Sequence, residues 1–252
     1  PNLTMRKFLI RILGASYCLL VTSALYSQVI ITSTASPYTQ NFNTLITTGT
    51  SATLPTGWKL LETGTNANTT LAADAGATAT GNTYSYGTGT GTDRAFGTLL
   101  SGSLNSTTGV QIRNSTGSTI TSITITYTGE EWRCGATGRA DRLDFQYSLN
   151  ATSLSTGTWV DNNTLDFSSP STTATGAKEG NAAANRSLKT ATITGLSIAN
   201  NANFWLRWNE LDATGADDGL AIDDFSIQLT GSDVTPPTAS TFNPANGATN
   251  LS

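Results

Sequence analysis

Apolar and polar residues alternate with a period of two along much of this 252-residue chain. Ile123, Ile125 and Tyr127 alternate with Thr124, Thr126 and Thr128. Leu143, Phe145 and Tyr147 alternate with Asp144, Gln146 and Ser148, and Phe204, Leu206 and Trp208 with Trp205, Arg207 and Asn209. Successive side chains of a strand point to opposite faces, so each run predicts a strand with one face in a core. Further strands are expected at 29–33, 58–61, 95–100, 110–113, 158–160, 188–193 and 220–229. No segment beyond the first thirty residues carries a helical stripe, and Gly, Asn and Asp between the runs supply turns. The pattern predicts an all-β fold, a two-sheet antiparallel β-sandwich of jelly-roll type with long Gly/Thr/Asn-rich loops. Segments 64–91 and 168–185, low in complexity, are expected to be surface loops.

The two ends read differently. Arg6, Lys7 and Arg11 precede and open an apolar stretch that runs from Ile12 to Val21, and Thr22, Ser23, Ala24 and Ser27 lead up to Gln28. That order predicts a signal peptide cut between Ser27 and Gln28, hence a secreted or cell-surface protein. The apolar run is short and is interrupted by Gly14 and Ser16, so no membrane span is expected in the mature chain. Near the other end, Ser232-Asp233-Val234-Thr235-Pro236-Pro237 reads as a stiff linker. The organisation expected is upstream residues and signal peptide over 1–27, the sandwich over 28–231, and a linker with the start of a further domain over 232–252.

Composition narrows the chemistry. Charged residues make up 12% of the chain, about half the usual share, while Thr, abundant here, suits a half-exposed pleated face. Beyond the leader 10 basic residues stand against 17 acidic ones. Such an acidic surface argues against nucleic acid as a partner of this domain. Histidine is absent, which excludes imidazole-based catalysis and His-ligated zinc. With Cys18 in the leader, Cys134 stands alone, so no internal disulfide is expected, and Cys134 reads as a small residue of a Gly-rich loop.

Candidate groups are therefore carboxylates and aromatics. Glu130 and Glu131, adjacent on a strand, point to opposite faces and make a poor catalytic pair. A charge-paired network of Glu130, Arg133, Asp141 and Arg142 is expected instead. Trp58, Trp132, Trp159, Trp205 and Trp208 read mostly as core, with an exposed one suited to stacking on a sugar ring. Glu210, Asp212, Asp217, Asp218, Asp223 and Asp224 crowd six acids into fifteen residues. They call for neutralisation, either by Ca2+, which favours oxygen ligands, or by solvent with a salt bridge to Arg207 or Arg142.

Three segments carry a resemblance. Tyr38-Thr39-Gln40-Asn41-Phe42-Asn43, followed by Leu54-Pro55-Thr56-Gly57-Trp58, is similar to the opening motif of cleaved-adhesin and MAM-like jelly rolls. Asp217-Asp218-Gly219-Leu220-Ala221-Ile222-Asp223-Asp224-Phe225 is similar to their closing strand. The middle, Asp93-Arg94-Ala95-Phe96-Gly97 with the stretch from Asn114 to Arg133, resembles a module of secreted bacterial multidomain proteins. Phe242-Asn243-Pro244-Ala245-Asn246-Gly247-Ala248 resembles the first strand and turn of a bacterial Ig-like domain. The resemblance implies a β-sandwich with an accessory role and a structural Ca2+ where opening segment and closing strand meet. The ligand it implies is Asp223, with Asp224, Asn41 and Asn43 as weaker ones; Asn43 stands where an acid is common. The function expected is a non-catalytic extracellular binding or adhesion module of a larger secreted or surface protein, with a glycan or protein ligand. Its alternatives are an accessory domain of a secreted carbohydrate-active enzyme or nuclease, and a structural spacer.

Overall fold

The computed structural model describes residues 28–232. The expected signal peptide, and the linker and Ig-like start beyond Ser232, lie outside the described residues. Sixteen strands are found among the described residues: β1 (Val29–Ile31), β2 (Tyr38–Gln40), β3 (Thr50–Ser51), β4 (Trp58–Thr63), β5 (Leu71–Asp74), β6 (Asn82–Tyr86), β7 (Ala95–Leu99) and β8 (Asn105–Asn114) come first. They are followed by β9 (Ile120–Cys134), β10 (Arg142–Ser148), β11 (Val160–Asp161), β12 (Phe167–Ser168), β13 (Gly176–Ala177), β14 (Arg186–Ile193), β15 (Asn203–Glu210) and β16 (Gly219–Gly231). Two 3-10 turns, Asn163–Leu165 and Ala183–Asn185, are the helical elements among them.

The strands form two sheets. A seven-stranded sheet runs β1-β8-β15-β10-β11, with β4 also on β8 and β12 also on β10. A nine-stranded sheet runs β13-β9-β16-β7-β6-β5-β3, with β14 also on β9 and β2 also on β16. Most pairs are antiparallel as expected, but β1 pairs with β8, and β5 with β6, in parallel.

The alternating runs face each other across the interior. Phe204, Leu206 and Trp208 of β15, Leu143 and Phe145 of β10, and Val110 and Ile112 of β8 meet Ile123, Ile125 and Tyr127 of β9 and Phe225, Ile227 and Leu229 of β16. The Trp58 and Trp208 rings stack at 5.9 Å, and Phe225 meets both edge-on at 5.2 and 5.8 Å. Each such ring pair adds ~0.5–1.5 kcal/mol beyond area burial. Gly129 is the flat spot in β9: a Cβ there would sit 2.3 Å from the Phe167 ring.

A smaller apolar layer lies on the other side of the nine-stranded sheet. It contains Tyr84, Tyr86, Ala95, Leu99, Trp132 and Ala221, with Tyr86 and Trp132 stacked at 5.9 Å. This layer explains where the sequence expectation for 64–91 departs from the fold. That segment contains β5 and β6, and Thr83, Tyr84, Ser85 and Tyr86 are buried. Segment 168–185 is irregular, as expected, apart from the last residue of β12, the short β13 and a 3-10 turn. It is packed down, since a Cβ on Gly180 would fall 2.3 Å from the Trp132 indole. The strand expected at 158–160 is β11, at Val160–Asp161. Cys134 ends β9 rather than lying in a loop, is fully buried, and its thiol pKa is raised, chiefly by desolvation.

Candidate functional site

Because Phe204, Leu206 and Trp208 face the core, Trp205, Arg207 and Asn209 stand on the outer face of the seven-stranded sheet. Register places Asn209 between Thr107 of β8 and Asp144 of β10, and Arg207 between Gly109 and Gln146. Thr107 Oγ1 donates to Asn209 Oδ1 at 2.8 Å, and Asn209 Nδ2 donates to Gln146 Oε1 at 3.1 Å. Arg207 Nε and Nη2 donate to that same oxygen at 2.9 and 2.5 Å. Asn209, Gln146 and Arg207 all keep part of their surface in solvent. The result is a row of planar polar groups across three strands, held in fixed orientation by one another.

The segment between β10 and β11 crosses this face. Arg207 Nη1 donates to the Leu154 carbonyl at 2.7 Å, and its guanidinium lies 3.9 Å over the Trp159 ring. Trp159 Nε1 in turn donates to the Thr156 carbonyl at 2.8 Å. Leu154, Ala151 and Trp205 form a small apolar cluster flanked by Leu61 and Trp159. Gly109 makes room for it, since a Cβ there would meet Leu154 Cδ2 at 2.6 Å. Four of the five tryptophans are buried, as expected, and Trp159 is the half-buried one.

At the edge of the same face Asp144, Asp161 and Asp166 each bring one carboxylate oxygen within 4.8 Å of the others. They are the one group of three potential metal-binding side chains this close among the described residues. Arg142 already stands among them, 3.0 Å from Asp144 and 3.5 Å from Asp166. With its amide nitrogen turned inward, Asn163 donates to Asp161 at 2.7 Å and Asp166 at 3.3 Å. The Phe145 amide donates to Asp166 Oδ1 at 2.9 Å.

The residues expected to hold Ca2+ lie elsewhere. Opening and closing segments do meet: β2 pairs with β16 through Gln40 and Phe225, Thr39 and Ser226, Tyr38 and Ile227. Asn41 and Asp224 line one surface hollow there with Thr39, Gln40 and Phe225. Asn41 Oδ1 accepts from the Asn43 amide at 3.2 Å, whereas Asn43 Oδ1 accepts from the Arg94 amide at 2.9 Å. Asp223 is buried, yet Ile222 and Phe225 join the main core while Ala221 joins the smaller layer. Asp223 therefore shares the face of Ala221 and does not point between the sheets. A bulge after Asp223 puts Asp224 at φ +48° and lets its amide donate to Asp223 Oδ1 at 2.7 Å. Burial first, and then Glu130, Asp224 and Asp93, push the Asp223 carboxyl up to about 8.

The expected network of Glu130, Arg133, Asp141 and Arg142 does not form. Glu130 is buried and accepts from Trp132 Nε1 at 2.9 Å, and burial raises it to about 7. Arg133 donates to the Gly76 and Ala77 carbonyls at 3.1 and 3.2 Å. Asp141 is met instead by Arg139, 3.4 Å away, which also lies 3.3 Å from Asp218. Arg139 lies two residues from Asp141, but its other partners, Asp218 and the Thr214 carbonyl, are more than seventy residues away, and sequence spacing does not show them. Nor are the acids of 210–218 solvated as a group and bridged to Arg207 or Arg142: Glu210, Asp217 and Asp218 are buried, and Asp212 alone is exposed. The row Thr107, Gln146, Asn209 was not singled out either, although the outward set of each alternating strand is the signal for it.

No protein-family model and no curated protein sequence matches the chain. Among solved structures, a cleaved adhesin domain of Lys-gingipain from Porphyromonas gingivalis is similar over 69% of this chain and 91% of that one, at 13% identity and a TM-score of 0.40. The family 11 carbohydrate-binding module from Clostridium thermocellum is similar over 78% of this chain and 96% of that one, at 10% identity and a TM-score of 0.34. The enzymatically active domain of a bacteriophage tailspike protein is similar over 69% of this chain, at 12% identity and a TM-score of 0.36, and this chain spans 19% of it.

Proposed function

We propose that the sandwich is a non-catalytic extracellular binding module, and that its ligand is a glycan held on the outer face of the seven-stranded sheet. The observation that carries this is the row Thr107, Asn209, Gln146 and Arg207 beside Trp159. Amides and hydroxyls offer donors and acceptors together, which suits sugar hydroxyls, and an indole suits the apolar face of a pyranose. Few polar groups fixed in orientation beside apolar surface are the usual composition of a small-molecule site. Export by the expected leader fits an extracellular ligand. Histidine is absent, and the Glu130 carboxylate, hydrogen-bonded to an indole and buried, has no solvent-facing partner acid on its own strand. These features speak for binding without turnover. A protein ligand on the same face is the alternative.

A structural Ca2+ at Asp223 and Asp224, with Asn41 beside them, belongs to the same reading; the side-chain oxygen of Asn43, the other weaker candidate, already accepts from the Arg94 amide. It is supported by the meeting of β2 and β16 and by the hollow that Asn41 and Asp224 share.

A glycan array, followed by calorimetry on any hit, tests the function. Binding that disappears in Asn209→Ala and Trp159→Ala, while both variants keep the wild-type melting temperature within a few degrees, supports it. Binding that survives both substitutions moves the ligand to another surface.

A further inference from the structure

The end of the sandwich under segments 135–141 and 211–218 concentrates carboxyl groups with few partners. Glu210 closes β15 and faces inward, with 2% of its surface exposed, and both of its carboxyl oxygens lack a hydrogen bond. The Thr98 hydroxyl and the Leu100 amide lie beside it without completing one. Glu131 is fully buried; its Oε2 accepts from the Ser171 amide at 2.7 Å, and its Oε1 has no partner. Asp218 Oδ1 accepts from the Gly135 amide at 2.7 Å, and the Asp218 amide donates to Asp141 Oδ2 at 2.9 Å. Asp217 Oδ1 accepts from the Ala213 amide at 3.0 Å. These bonds tie the two segments to each other through carboxyl groups.

The charges that act on this end come from every neighbouring element. Asp141 before β10, Asp217 before β16 and Tyr86 of β6 act on Glu210. Glu131 of β9 and Asp141 act on Asp218. Arg139 is the cation in salt-bridge contact with Asp141 and Asp218, and Lys178 acts on Glu131 ahead of Arg139. Five buried carboxyls against one bridging arginine cannot all be ionised, because an uncompensated buried charge costs several kcal/mol or is neutralised by a proton. Arg139 compensates one of the two charges of the Asp141 and Asp218 pair. Glu210 has no such partner.

We propose that Glu210 is held as a neutral carboxylic acid at neutral pH, a lock on segments 135–141 and 211–218 that opens at alkaline pH, when Glu210 ionises, buried and unpaired, beside Asp141 and Asp217. Burial raises the Glu210 pKa well above the ordinary carboxylate value, in the same direction as the geometry. The unfolded chain ionises Glu210 above about pH 4.3. Between that pH and the folded pKa, the folded state carries one proton more than the unfolded state. Stability therefore falls as pH rises through this window.

The test is urea unfolding at several values between pH 5.5 and 9, on wild type and on Glu210→Gln, whose amide is neutral at every pH. One proton lost on unfolding makes the unfolding constant rise tenfold per pH unit. The expected result is a slope smaller by one proton in Glu210→Gln, with a gain in relative stability at pH 9. An unchanged slope overturns the proposal. Should that variant not fold, carbon-13 NMR of glutamate carboxyls in wild type decides. The resonance assigned to Glu210 must stay at its protonated position from pH 5.5 to 8; its titration within or below that range overturns the lock. Hydrogen exchange at pH 9 should show 211–218 opening before the core strands, and uniform opening refutes the release of these segments.

Discussion

Arg207 lies 3.9 Å over the Trp159 ring and thereby couples a strand of the seven-stranded sheet to the segment that crosses it. The same guanidinium reaches the Leu154 carbonyl and the Gln146 amide oxygen. Burial lowers its pKa, with Asp144 opposing, but an arginine remains charged. One side chain thus orders both the crossing segment and the polar row proposed to meet the ligand.

Arg207→Met should keep much of the aliphatic packing and lose the rest. Charge-assisted hydrogen bonds contribute ~1.5–3 kcal/mol and an exposed cation–π contact ~0.5–1 kcal/mol. Since the crossing segment is on the surface, we expect about 2 kcal/mol of lost stability, read by urea unfolding. Hydrogen exchange in 149–159 should rise more than in β9. Equal exchange in both variants would show that the segment is held by its own hydrogen bonds.

Gly129→Ala is expected to be more costly than its size suggests. Its Cβ would fall 2.3 Å from the Phe167 ring in the interior. Overpacking of this kind costs typically ~1–3 kcal/mol. Gly117→Ala, where no atom lies within 4 Å but φ is +85°, isolates the backbone cost alone. Comparing the two melting temperatures separates crowding from conformation.

How much of this was legible in the chain follows from what each strand faces. Ile123, Ile125 and Tyr127, or Phe204, Leu206 and Trp208, have one dry and one wetter face, and period-two alternation records that directly. Tyr84 and Tyr86 are buried in the second layer, and Thr83 and Ser85, which alternate with them, are buried on the other side. A strand covered on both faces shows no apolar alternation, so β6 looked like part of a loop. Glu130 and Glu131 were expected on opposite faces, and they are; that both are buried depends on Trp132 and Ser171. The meeting of β2 with β16 was foreseen from the terminal motifs. The bulge at Asp224, which returns Phe225 to the main core after Asp223, has no signature in residue type, since the position is held by Asp and not Gly.

Glu131 offers a second pH readout. Burial, above all, raises its carboxyl to about 7, with Asp218 adding to it and the Ser171 amide opposing. A folded pKa above the unfolded value means that stability is full below about pH 4.3 and is lost as pH rises toward 7. Glu131→Gln should therefore match wild type near pH 4 and exceed it above pH 8 by on the order of 3 kcal/mol. Asp141, raised to about 6 chiefly by burial, works in the same direction over a lower window. A variant less stable than wild type at pH 9 would mean that the ionised Glu131 is better held than its unpartnered Oε1 indicates.

The Ca2+ proposal makes the last prediction. Asp223 is buried with Glu130, Asp224 and Asp93 acting on it, and its carboxyl sits at about 8. At neutral pH the site must then hold either a proton or a cation. An ion that binds only the folded state raises stability by mass action, ~2.7 kcal/mol at a hundredfold excess over its dissociation constant. For a domain of this size that is a rise of roughly 5–10 °C in Tm. Thermal melts of metal-free protein with excess Ca2+, and again with EDTA, should differ by this amount in wild type and not in Asp223→Ala. Mg2+ should do less, because it needs a compact octahedral shell and gives up its water reluctantly. Asn43 offers an internal control. Its side-chain oxygen already accepts from the Arg94 amide, so Asn43→Ala should lower stability in both buffers and leave most of the Ca2+ increment in place. Asn41→Ala, at the hollow shared with Asp224, should reduce the increment itself. Equal melting of wild type in Ca2+ and EDTA would leave the proton as the occupant of Asp223. The carboxyl would then behave as a buried acid, and Asp223→Asn would stabilise the protein above pH 8.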